Sequence, residues 1–81
     1  MHLFTLILDS PEDNDTDADT LYDMCGDALY GASNGHVHVH FERPGDDVIL
    51  VVRQAIADVE TALPHVRVTR VELDRADIVA A

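Results

Sequence analysis

Leu3, Phe4, Thr5, Leu6, Ile7 and Leu8 form an almost unbroken apolar run. Such a run, with polar residues at both ends, is the pattern of a strand lying centrally in a sheet or buried on both faces, so residues 2–9 are expected to be the first strand. Residues 10–19 are rich in Pro and Asp and open a helix, with Thr16 or Asp17 accepting a bond from an amide of the first turn. Leu21, Met24 and Cys25 then share one helical face, and Gly26 is placed to cap the end. Residues 27–32 form a second strand carrying Ala28, Leu29 and Tyr30, and Ser33-Asn34-Gly35 reads as a hairpin turn.

Residues 35–43 alternate without a fault. His36, His38 and His40 face one way, and Val37, Val39 and Phe41 face the other. Pro44-Gly45 breaks this third strand, and Asp46 and Asp47 can cap a second helix. Over residues 48–63, Ile49, Val52, Ile56, Val59 and Leu63 have the spacing of one buried stripe. Pro64 stops that helix. Residues 65–73 form a fourth strand whose phase changes between Val68 and Val71, as a bulge requires. Residues 74–81 look helix-prone.

The element order is therefore βαββαβ. Two right-handed crossovers and a central hairpin make it an α+β, ferredoxin-like domain: a four-stranded antiparallel sheet with two helices on one face. A three-stranded βαβαβ sandwich is the fallback if the second strand does not form. With the valines under the helices, the three histidines fall on the open side of the sheet. Strand 1 is apolar on both faces, so an exposed apolar patch joins them, and Leu3, Thr5, Ile7, His36, His38 and His40 become candidate residues of a homodimer contact. A further domain or a partner protein is the other way to cover that face.

At 81 residues the chain has room for one core, and a single domain over residues 1–81 is expected. Sixteen acidic residues against five arginines and no lysine give a formal charge of -11. That charge repels nucleic-acid backbones and anionic membranes, and leaves a basic protein as the easier partner. The lone Cys25 excludes an internal disulfide. No signal-like segment opens the chain, and no apolar run approaches the ~20 residues of a membrane span, so a cytoplasmic location is expected.

The histidine triplet is the most unusual chemistry. Residues two apart on a strand project in parallel, and two such imidazoles can reach one zinc. His36, His38 and His40, with His2 from strand 1, are thus a candidate metal set with zinc as the implied ion. Histidines at an interface would also make it pH-responsive, since protonation sets like charges side by side. The plain alternative is an ordinary polar sheet face. Asp13, Asp15, Asp17 and Asp19 alternate like a calcium loop, but Ala18 stands where the turn needs Gly and Met24 where a bidentate Glu is required, so a solvated acidic loop is expected. Cys25 lies at a helix C-terminus, where the dipole disfavours a thiolate, and reads as structural. No triad, paired-acid spacing or phosphate-binding glycine loop is present.

Three stretches carry a resemblance: Leu3-Phe4-Thr5-Leu6-Ile7-Leu8-Asp9, then Cys25-Gly26-Asp27-Ala28-Leu29-Tyr30-Gly31 with its Asn34-Gly35 turn, and Ala55-Ile56-Ala57-Asp58-Val59-Glu60 leading to Val68-Thr69-Arg70-Val71-Glu72. Together they resemble the N-terminal part of a family of small bacterial helix-turn-helix DNA-binding proteins, transcriptional regulators or antitoxin-like. The resemblance implies that Ala76-Asp77-Ile78-Val79-Ala80 is the entry to a DNA-reading module whose contacting helix would lie beyond Ala81. The histidine triplet departs from the family pattern, so no metal role comes with the likeness. The resulting expectation is a non-enzymatic regulatory or dimerisation domain. Alternatives are a histidine-based metal or pH module, and an acidic interaction domain or nucleic-acid mimic.

Overall fold

In a computed structural model, which describes residues 2–10, 15–33 and 35–73, the elements follow the expected order. They are β1 (His2–Leu8), α1 (Asp15–Met24), β2 (Ala28–Ser33), β3 (His36–Arg43), α2 (Val48–Ala62) and β4 (Val68–Leu73). The strands form one antiparallel sheet in the order β2-β3-β1-β4, the ferredoxin-like arrangement, with β3 and β1 at its centre. The expectations for residues 11–14, Asn34 and 74–81, which include Asp13 of the acidic loop and the entry to a further module, lie outside the described residues.

One parity of each central strand faces the helices. Phe4, Leu6 and Leu8 of β1 and Val37, Val39 and Phe41 of β3 are buried there against Leu21, Cys25, Val52, Ala55 and Val59. Both helices thus cover the same face. Phe4 and Phe41 are direct cross-strand partners and stack, with ring centroids 5.5 Å apart. Burying each of these large side chains contributes about 1.5–3 kcal/mol, which makes this face the main source of stability.

The helix boundaries come from local bonds. Asp47 caps α2, its carboxylate accepting from the Ile49 amide at 2.9 Å. At α1, Thr16 and Asp17 lie inside the first turn. Asp17 pairs with His65 Nε2 at 2.9 Å and ties α1 to the loop before β4. Gly26 does not take up a left-handed cap, and the chain turns into β2 through the Cys25 amide on Leu21 and the Ala28 amide on Cys25.

Two buried-stripe expectations are corrected. Ile49 is 65% exposed and Met24 49% exposed, and Ala55 stands in the α2 contact instead. β4 begins at Val68 because Pro64 and His65 form a turn and Arg67 exchanges bonds with Asp9. The expected phase change is present: Ile7 pairs with Arg70 but Leu8 with Val68, so Thr69 is the extra residue of a bulge and both valines face the core. No described helix is long and apolar enough to cross a membrane.

Candidate functional site

The opposite parity of the strands makes up the open face, and the registers set it out in cross-strand rows. The two-residue turn after Ser33 places Leu29 opposite His40 and Gly31 opposite His38. β1 and β4 extend these into Leu29–His40–Thr5–Glu72 and Gly31–His38–Ile7–Arg70, with Glu42 beside Leu3 at one end and Ser33 beside His36 at the other. His36, His38, His40, Leu3, Thr5 and Ile7 are therefore brought together as the alternation of β3 implied.

His2 is not with them. It has the parity of Phe4, so it faces the helix side, where its Nε2 bonds the Gly45 carbonyl at 2.8 Å. The candidate metal set loses that member, and among the described residues no three His, Cys, Asp or Glu side chains of one chain are grouped to hold a metal.

Two of the three imidazoles have their orientation fixed by neighbours. Thr5 Oγ1 lies 3.0 Å from His40 Nδ1, which leaves Nε2 as the ring nitrogen away from β1. His38 lies over Gly31, its Nε2 3.1 Å from where a Cβ at that position would stand, so the ring occupies room that only glycine leaves. His36 shares a shallow recess with Ile7, Thr69 and Arg70, whose guanidinium also pairs with Glu72 at 2.7 Å.

The charge distribution over this face is distinctive. The chain has 16 Asp and Glu, yet among the described residues the interior of the open face carries neither, and Glu42 and Glu72 stand at its margins. Acidic residues are placed instead on α1, on α2 and in the connecting loops. Leu29, 64% exposed, is the largest apolar projection here and was not singled out by sequence reasoning, although the Asn34-Gly35 turn fixes its place opposite His40.

A second cluster, also missed, lies at the rim of the helix side. Arg43 reaches Asp27 at 2.6 Å and Asp58 at 3.1 Å while its guanidinium carbon stands 4.6 Å from the centre of the Phe41 ring. Burial works against that charge, but the two carboxylates more than offset it and raise the Arg43 pKa. Cys25 is buried beside the group; burial raises its thiol pKa and the carboxylates of Asp58 and Asp27 add to this, against the pull of Arg43. A thiol held protonated is a poor nucleophile, so the cluster is structural. A shallow apolar cleft lined by Val48, Ile49, Val52, Arg53, Val71 and Leu73 lies between α2 and β4.

No family model, curated protein or solved structure matches this chain.

Proposed function

We propose that this domain is a non-enzymatic dimerisation module, regulatory in role, that pairs with a second copy of itself through the open sheet face. The observation that carries the reading is the carboxylate-free interior of that face in a chain of charge -11. Two such chains repel, and they meet at least cost where the centre of the contact presents no carboxylate. A strongly basic partner would be drawn to the acidic helices and loops instead. Leu3, Ile7 and Leu29 supply the apolar contact, and the imidazoles a polar one.

The sheet edges favour contact by the face over strand addition. On β2 the Tyr30 amide donates to the Tyr22 hydroxyl at 3.0 Å and the Ala28 amide to the Cys25 carbonyl at 3.2 Å. On β4 the Val68 amide donates to the Glu60 carboxylate at 3.0 Å. Edge groups satisfied within the chain do not recruit a foreign strand. The regulatory part of the reading rests only on the likeness to the N-terminal part of small helix-turn-helix proteins.

Size sets the expected strength. Four strands about 4.8 Å apart and six residues long at about 3.3 Å each give a footprint of roughly 400 Å². That is about half the ~800 Å² per partner of a standard stable interface, so the metal-free dimer is weak, with a dissociation constant in the micromolar range or above. Sedimentation equilibrium of the wild type and of Leu29→Asp tests this. The wild type should self-associate, and Leu29→Asp, at an exposed position that leaves the core intact, should be monomeric. A Leu29→Asp dimer as tight as wild type, together with a monomeric Ile49→Asp, would move the contact to the α2–β4 cleft and overturn the assignment.

A further inference from the structure

We infer that His38 and His40 form half of a transition-metal site that is completed by the same two residues of a second copy. The inference rests on the face-to-face pairing proposed above. Within one chain no third ligand stands beside them among the described residues. Two imidazoles two residues apart on a strand, about 6.6 Å between their Cα atoms, can share one ion at Zn–N distances of about 2.0–2.1 Å. Across a two-fold axis through the sheet face, two from each protomer supply the four nitrogens of a tetrahedral zinc site.

Four observations select this pair and this ion class. Thr5 Oγ1 engages His40 Nδ1 at 3.0 Å, which holds the ring in place and leaves Nε2 as the nitrogen for an ion, the kind of support a ligating imidazole needs. Gly31 makes the place in which the His38 ring lies at the sheet surface, since a Cβ there would stand 3.1 Å from its Nε2. His36 lies at the end of β3 in a separate recess lined with Ile7, Thr69 and Arg70, and His2 is on the other face. Finally, a divalent ion at the contact offsets part of the repulsion between two chains of charge -11, and the small footprint gives such a cross-link much to add.

Zinc titration of the full chain, followed by calorimetry and by sedimentation with and without a chelator, reads out stoichiometry and mass together. The expected result is one zinc per two chains and a dimer at least ten-fold tighter with zinc. Cobalt in its place should give the visible spectrum of a tetrahedral site. His38→Ala and His40→Ala should each abolish the response, Thr5→Val should weaken metal binding about 10- to 100-fold, and His2→Ala should bind as wild type. Circular dichroism of each variant verifies folding, and His40→Gln keeps the volume if alanine does not.

Zinc bound at one per chain without a change of mass, or binding that survives loss of both histidines, overturns the shared site. A dimer that Leu29→Asp disrupts but that ignores zinc overturns this inference and leaves the pairing intact. A monomer under both conditions overturns both.

Discussion

The guanidinium of Arg43 joins the α1–β2 turn, through Asp27, to α2, through Asp58, while lying on the Phe41 ring. Replacing it by Met leaves two carboxylates facing each other without their cation. Because both remain partly in water, the expected cost is about 1–2 kcal/mol rather than that of a fully buried pair. In a domain of this size that is a fall of roughly 4–16 °C in melting temperature, which calorimetry can measure. Cys25, beside it, has a raised thiol pKa, mainly from burial. Its contribution is fully present below the unfolded thiol value of about 8.5 and is lost as pH rises through the higher folded value, because the unfolded chain gives up its proton first. Stability measured in urea should therefore decline above about pH 8.5 in the wild type, and less so in Cys25→Ala. None of this cluster was legible beforehand. Asp27, Arg43 and Asp58 are far apart in the chain, and single charges carry no periodicity.

The second helix shows where periodicity stops being informative. Val48, Ile49, Leu50, Val51 and Val52 are all apolar, so the first turns of α2 fit several stripes equally well. The spacing picks Ile49, whereas the fold buries Val52 and Ala55 and leaves Ile49 and Leu50 largely in solvent. The start of the helix was legible because Pro44-Gly45 and the two aspartates are local signals. Gly45 has φ 156°, and a Cβ there would overlap the Val51 side chain. Gly45→Ala should thus cost about 1–3 kcal/mol, and Asp47→Ala, which removes the cap, about 1 kcal/mol. Thermal unfolding of both, with the two effects distinguishable in size, checks the assignment. The β4 bulge was equally readable, since two valines three positions apart can face one core only if a residue is inserted between them.

For the whole molecule, the topology followed from two strong signals, the alternation of residues 36–41 and the Asn34-Gly35 turn, and these also put the three histidines on the uncovered side. His2 was misjudged although alternation along β1 opposes it to Leu3, Thr5 and Ile7, so that placing those three on the open side already turns His2 toward the helices. Leu29 was overlooked because its importance depends on the register with His40, a property of two strands together. Self-association of strongly acidic chains through a face with no central carboxylate has a characteristic salt response. Raising the sodium chloride concentration from about 50 to 500 mM shortens the Debye length from roughly 14 to 4 Å, so the proposed dimer should become tighter. Docking of a basic partner on the acidic surface would become looser. Sedimentation across that range separates the two.

The hydroxyl of Tyr22 sits on the β2 edge, where it accepts from the Tyr30 amide. Face pairing would use up its surface after two copies and close, whereas head-to-tail addition of β2 to the β4 edge of another copy would leave new edges at every step. One donor of the β2 edge is already used within the chain, the Tyr30 amide donating to a phenolic oxygen. Deleting that atom in Tyr22→Phe should leave the melting temperature almost unchanged, yet at high concentration produce a size distribution by light scattering that keeps lengthening with time.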